Sequence, residues 1–233
     1  MRQIFLDTET TGLSADSGDR IVEIGCVELF NRRLTGNNLH FYLFSGRESH
    51  EEAFKVHGIS SEFLKDKPKF EAVADDLLSY LEGAEVIIHN APFDLGFLNM
   101  ELALIGRPAL HQFVASVTDT LQMAKELFPG KRNSLDALCA RLGVDNSGRT
   151  LHGALLDAEL LADVYINLTR GQDALLIDAG SQTSAGASFV AVDLRSVVLP
   201  VLQSSEHEIA AHDEILVQLD KASGNKTVWR RSA

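Results

Sequence analysis

A mixed α/β sheet flanked by helices, followed by a flexible linker and a C-terminal docking tail, is predicted by three features of the 233-residue sequence. Apolar strand-like runs alternate with helical patterns from Gln3 to about residue 169. Residues 178–188 (DAGSQTSAGAS) are then rich in Ala, Gly and Ser, with no periodic apolar face. Apolar periodicity returns beyond them, in a segment too short to bury a core of its own, which therefore needs another surface to fold on. The boundaries that result are 1–170 for the α/β domain, 171–188 for the border and linker, and 189–233 for the tail.

Residues 4–6, 21–29 and 39–44 read as three successive strands. Turn chemistry at Gly12, at Ser17-Gly18-Asp19 and at Thr35-Gly36-Asn37-Asn38 joins them, so a meander opens the domain. Helical patterns occupy 51–56 and 70–81, and residues 85–88 form a buried strand. Pro92 is tolerated in a first helical turn, so it opens a helix towards Ile105 that Gly106-Arg107-Pro108 ends. Residues 116–118 make a short strand, and helices follow near 121–127, 134–142 and 153–168. In the tail, 189–202 is apolar and strand-like. Ser205 with Glu208 three positions on forms a capping-box pattern, opening a helix with Ile209, Leu216 and Leu219 along one side.

A hydrophobic share of 45% and a charged share of 23% exclude wholesale disorder. No apolar run approaches the roughly 18 residues that span a bilayer, and the N-terminus lacks a signal-peptide shape. Cys26 and Cys139 fall in apolar stretches, as buried reduced thiols do. These features point to a cytoplasmic protein without membrane association. The formal charge of −12, from 21 basic and 33 acidic residues, argues against nucleic acid as a partner. Carboxylates that hold cations are neutralised when loaded, however, and a protein delivered to its substrate by a partner needs little electrostatic steering. Local basic groups also exist at Arg32-Arg33, at Lys65, Lys67 and Lys69, and at Lys131-Arg132.

Asp7 and Glu9 close the first strand two positions apart, so both carboxylates point to one side of the sheet and could clamp a hard divalent cation. Alone, an Asp-x-Glu pair is most simply two solvated acids. Asp94 follows a buried strand in the first turn of a helix, where the helix dipole by itself favours an acid. Strand carboxyl ends are where α/β folds place ligands, and the Asp7/Glu9 pair sits at another such end. His152 and Asp157 begin the last strong helix of the domain. Were both helical they would stand about 140° apart and could not share a site. Were His152 just ahead of the helix, with Gly153 permitting the turn, its imidazole could join Asp157 there. Hydrolysis of a phosphodiester needs an activated water, neutralised phosphate charge and a stabilised leaving oxygen. Four carboxylates with two Mg²⁺ or Mn²⁺ ions and one histidine base fit that reaction.

With these residues in place, the sequence resembles the DEDD superfamily of 3′-to-5′ exonucleases, in its histidine branch, and within it the members that proofread for replicative polymerases. The blocks FLDTETTGL, VEIGCVEL, NRRLTGNN, EAFKVHGI, VIIHNAPFDLGF, FPGKRNSLDALCARLG and TLHGALLDAELLADVY carry the likeness over almost the whole chain. The resemblance implies a ribonuclease H-like fold, Asp7, Glu9, Asp94 and Asp157 as metal-organising acids, and His152 as general base. It further implies that Asp7, Glu9 and Asp157 also bind substrate, and that Glu52 and His57 touch the terminal nucleotide at a DNA 3′ end. The five-residue spacing from His152 to Asp157 separates this branch from the tyrosine branch. Residues 172–177 (QDALLI) are similar to a sliding-clamp motif anchored by Gln172. The tail is read as the dock for the polymerase catalytic subunit, and a small accessory subunit belongs among the expected partners. An exonuclease trimming RNA ends, or a silent scaffold on the same fold, are the competing readings. Competent side chains at all five catalytic positions weigh against the scaffold.

Overall fold

The computed structural model describes residues 2–149, 151–170 and 204–224. The chain forms two compact units, Met1–Leu176 and Ile177–Ala233. The expected linker, the clamp-like run 172–177 and the strand-like run 189–202 lie outside the described residues.

The first unit is organised around β1 (Arg2–Thr10), whose alternating side chains serve both faces of a six-stranded sheet. On one edge β1 pairs antiparallel with β2 (Ile21–Phe30) from Arg2↔Phe30 to Thr10↔Ile21, with a register shift between Glu9 and Thr10. On the other it pairs parallel with β5 (Glu85–Ile88), which pairs parallel with β6 (Ser116–Asp119). The expected meander is present with one difference. Its third strand is β4 (Leu39–Tyr42), and a two-residue strand that was not expected, β3 (Arg33–Leu34), precedes the turn at 35–38; both pair with β2.

Two apolar layers follow from the period-two pattern. Ile4, Leu6, Ile24, Cys26, Val86 and Ile88 pack beneath α3 (Phe70–Leu81) and α4 (Ala91–Leu104). Phe5, Val27, Leu29 and Ile87 face α5 (Thr120–Leu127), α6 (Leu135–Leu142) and α7 (Ala154–Leu168). Phe5 is fully buried and meets Tyr165 edge-on with ring centroids 5.4 Å apart. Truncating such a ring to alanine costs about 3–5 kcal/mol. Two shorter helices, α1 (Glu51–His57) and α2 (Ser61–Leu64), cross the β4-to-α3 connection. The four-residue α2 was not expected, being too short to show a helical period. Both cysteines are buried and free.

In the second unit, α8 (Glu206–Ser223) opens with the expected capping box: Glu208 donates its N–H to Ser205 Oγ at 3.3 Å, and the Ser205 N–H donates to Glu208 Oε2 at 2.8 Å. Leu216 is buried, whereas Ile209, Ile215, Val217 and Leu219 are exposed. No helix among the described residues is long and apolar enough to cross a membrane.

Candidate active site

The carboxyl end of β1 lies between the two helical layers, and its alternation sorts the residues there. Asp7 and Glu9 continue the face of Phe5, towards α7, while Thr8 continues the face of Ile4 and Leu6, towards α4. Thr8 Oγ1 donates to Asp94 Oδ1 at 2.7 Å, tying the first turn of α4 to the strand end. Asp94 reaches this point because the chain turns sharply after β5. Asn90 caps α4 in the left-handed region at φ 70°, ψ 52°, a conformation asparagine tolerates better than most residues. Its N–H donates to Asp119 Oδ1 at 3.1 Å, which fixes the turn against the end of β6.

On the opposite face, α7 begins at Ala154, after the Gly153 cap, so His152 precedes the helix. The second of the two placements open from the sequence is therefore the one adopted. The His152 N–H donates to Val56 O at 3.0 Å, hooking this loop onto the last turn of α1. Asp157 rides on the first turn of α7, and this turn comes close to the sheet because β2 carries Gly25 opposite Asp7. A Cβ at Gly25 would overlap the backbone of Ala154 and Leu155. Oxygen or nitrogen atoms of Glu9, His152 and Asp157 come within 4.8 Å of one another. With Asp7, Thr8, Asp94 and Asp136, these side chains line a cleft of about 310 Å³.

Electrostatics in this cleft favour a cation. Burial, reinforced by Asp94, Asp157 and Glu9, pushes the Asp7 carboxyl well above its ordinary range. Burial, with Asp157 and Glu23 beside it, raises Glu9 to about 8. Burial raises Asp94 to about 7 despite the hydrogen bond from Thr8. Acids so crowded hold their protons until a cation replaces them, and the donors are oxygens plus one imidazole, the set that suits Mg²⁺ or Mn²⁺. Burial, then the Arg149 guanidinium, lowers the His152 imidazole below its ordinary value, leaving it neutral near pH 7.

Glu52 and His57 lie outside this cleft. Glu52 is exposed and lines a second hollow of about 420 Å³ past the end of β1, shared with Gly12, Leu13, Asp19, His50 and Val56. His57 is buried on the last turn of α1; its Nδ1 accepts the Ile59 N–H at 2.9 Å. Its Nε2 is buried with no hydrogen-bond partner among the described residues.

Sequence reasoning missed Arg149, which is 6% exposed at its side chain. Its Nε and Nη2 donate to Asp157 Oδ1 and Oδ2, each at 2.5 Å. Nη2 also lies 2.9 Å from His152 Nδ1, and Nη1 donates to Asp136 Oδ1 at 2.6 Å. A basic residue three positions before His152, in a chain with excess acid, was the only signal available.

Fold and site together define a nuclease of ribonuclease H-like architecture with an acid-rich centre at a strand end. A family model described as Exonuclease matches residues 4–165. DNA polymerase III subunit epsilon of Haemophilus influenzae is 50% identical over 241 residues, covering 98% of this chain and 94% of its own. The Escherichia coli subunit of that name is also 50% identical, over 98% and 97% of the two chains, and the Rickettsia felis one is 46% identical over 96% and 99%. Among solved structures, Exonuclease X in complex with 5′ overhanging duplex DNA superposes with a TM-score of 0.55 at 25% identity, covering 71% of this chain and 90% of that one. The nuclease domain of 3′hExo, a DEDDh family member, gives a TM-score of 0.61 at 17% identity, over 72% and 90% of the two chains, and shows the shared fold. The chain belongs to the exonuclease family, in the group formed with the DNA polymerase III epsilon subunits. Enzymes of this family use divalent metal ions.

Proposed function

We infer that this chain is the 3′-to-5′ proofreading exonuclease subunit of a bacterial replicative DNA polymerase, releasing deoxynucleoside 5′-monophosphates from mispaired 3′ ends. Convergence of Asp7, Glu9, Asp94, Asp157 and His152 at the end of β1 carries the reading. Asp7, Glu9 and Asp157 would hold one Mg²⁺ or Mn²⁺, and Asp7 chiefly the second, with Asp94 nearby or through water. When bound, the two ions supply neutralisation of phosphate charge, a more acidic attacking water and stabilisation of the leaving 3′ oxygen.

His152, neutral near pH 7, takes the proton of the attacking water as its oxygen bonds to phosphorus and the bond to the preceding 3′ oxygen breaks. Glu52 and His57 are assigned to the terminal nucleotide, on the α1 side of the site. The tail 189–233 is assigned to docking on the polymerase catalytic subunit; the exposed apolar residues of α8, and a similarity to relatives that takes in 98% of the chain, support this. Residues 172–177 are assigned to a sliding clamp, and a small accessory subunit belongs to the same assembly.

Digestion of 5′-labelled DNA and RNA oligonucleotides tests the reading. DNA should shorten stepwise from its 3′ end with Mg²⁺ and stay intact with EDTA. Equal rates on RNA would favour an RNA-trimming enzyme, and cleavage that survives EDTA would overturn the metal assignment.

A further inference from the structure

The basic groups that stand out in the sequence meet different fates in the fold. Arg32 donates to Thr169 Oγ1 at 2.8 Å and to Ile166 O at 2.9 Å, Lys65 pairs with Glu62, and Lys67 lies 4.3 Å from the centroid of the Phe63 ring. Lys131 and Arg132, between α5 and α6, are both exposed, and neither side chain forms an ion pair or ring contact among the described residues. Asp136, the acid closest to them in sequence, is already engaged by Arg149 and Asn146. The loop that carries the pair is braced from within. Asn133 is 7% exposed; its Oδ1 accepts from Arg141 Nη1 at 2.9 Å and its Nδ2 donates to Phe128 O at 3.3 Å. Arg141 Nη2 also donates to Arg132 O at 2.7 Å. His89, on the wall of the acidic cleft, is engaged by the Asn133 backbone, and Ser134 lines the same cleft. Arg132 is two residues from Ser134, a span of at most about 7 Å. Buried polar groups thus hold two unpaired cations at the lip of a cleft whose own acids repel phosphate.

We propose that Lys131 and Arg132 form a backbone-binding lip, contacting the phosphodiesters just upstream of the 3′ end in the single strand that the acidic cleft receives. The proposal rests on the nuclease reading of that cleft. Charge complementarity names the occupant: a nucleic-acid strand carries one anion per linkage, and in a chain of net charge −12 this pair is left unneutralised beside the site. Seated at the lip, the pair reaches phosphates next to the reacting end rather than the end itself. Contacts to phosphate carry no base identity, so the lip adds affinity and register without sequence preference.

The test compares, with Mg²⁺ and the full-length protein, hydrolysis of a short single-stranded oligothymidylate and of the p-nitrophenyl ester of thymidine 5′-monophosphate, which has no upstream phosphate. The double variant Lys131→Ala, Arg132→Ala should lower kcat/KM on the oligonucleotide roughly tenfold at about 50 mM salt, through KM, and flatten its log–log salt dependence by about 1.4, the share of two contacts to a single strand. Hydrolysis of the ester and the melting temperature should not change, and Lys131→Arg with Arg132→Lys should behave as wild type. A neutral methylphosphonate at the second or third linkage from the 3′ end should penalise wild type and leave the alanine variant indifferent. Equal losses on both substrates, an unaltered salt slope, or the same methylphosphonate penalty in both proteins overturns the proposal. If wild type hydrolyses neither substrate, the nuclease reading fails by itself and the oligonucleotide stays intact. Its fluorescence anisotropy then reads binding directly: a salt-dependent loss in the alanine variant upholds the lip, and undiminished binding overturns it.

Discussion

Gly25 stands directly across the β1–β2 ladder from Asp7, and the backbone of Ala154 and Leu155 occupies the space a side chain at Gly25 would need. The absent side chain therefore sets how closely the first turn of α7, with Asp157 on it, approaches the acids of β1. Gly25→Ala should push that turn outward, at a cost of about 1–3 kcal/mol from overpacking. Mn²⁺ affinity should fall with it. Denaturant unfolding and metal titration check the two effects, and unchanged affinity would show that α7 adjusts without moving Asp157.

The metal-site acids should differ in what their loss does to the metal-free fold. Asp7 sits among like charges, so Asp7→Asn removes repulsion and should leave the melting temperature in EDTA unchanged or raised. Asp157 is paired with a buried guanidinium, the two side chains being 4% and 6% exposed. Asp157→Asn removes one of the two carboxylates paired with that guanidinium, Asp136 remaining, and should destabilise by about 1–3 kcal/mol. Both variants should retain less than about a hundredth of wild-type hydrolysis. Parallel melting and hydrolysis assays test the contrast.

Stability of the metal-free protein should decline with pH across the neutral range. Glu9 titrates near 8 in the fold against an ordinary 4.5, and Asp94 near 7 against 3.8, so the native state binds more protons than the unfolded chain between those values. Their contribution is fully present below the unfolded values and is lost as pH rises through about 7 to 8. Carboxyls lowered by their partners, such as Asp19 and Glu28, act with the opposite sign but below the ordinary carboxylate range. Melting curves at pH 5 and pH 8.5 in EDTA should show the decline, and saturating Mg²⁺ should abolish it. Metal uptake near pH 7 should also release protons, measurable in weakly buffered solution.

His152→Ala should lower the hydrolysis rate by about 10² or more while Mn²⁺ binding is largely retained, the range a general base commonly contributes. Burial and Arg149 lower the imidazole below 6.5, so the acid limb of the wild-type profile should fall below that value. The variant should lack this limb. Its persistence would assign the proton to another group.

A fragment ending near Gly180 should digest single-stranded DNA like the full chain but fail to co-purify with the polymerase catalytic subunit. A flexible Gly/Ser/Ala tether lets a catalytic unit reach a frayed end while its anchor stays bound. Tethering also suits a protein of net charge −12, since the partner supplies most of the phosphate contacts. Undiminished co-purification would place the anchor on the first unit.

Some of this architecture was legible because it depends on local spacing. Two-residue alternation put Asp7 and Glu9 on one side of a strand, and the five-residue gap to Asp157 left two placements for His152, of which the one ahead of the helix is adopted. The Ser205/Glu208 capping box was legible for the same reason. Arg149, Thr8 and Gly25 were not, because each acts through a partner distant in sequence or by leaving room for one. An arginine carries no spacing rule, and a glycine in a strand reads as a weakness until the helix above it is in place. Glu52 and His57 came only from family likeness, and the fold sets them apart from the acidic cleft, around α1.

The position of Asp157 on α7 has a consequence for the order in which the protein is made. β1 leaves the ribosome well before α7, the last described helix of the first unit. A growing chain that has already exposed Asp7, Glu9 and Asp94 still lacks the fourth acid and the histidine. Domains fold largely as units, and here the final helix must dock on β1 and β2 before the cluster closes. Incomplete chains therefore lack the closed cluster, and the proposed cutting centre forms only with completion of the domain.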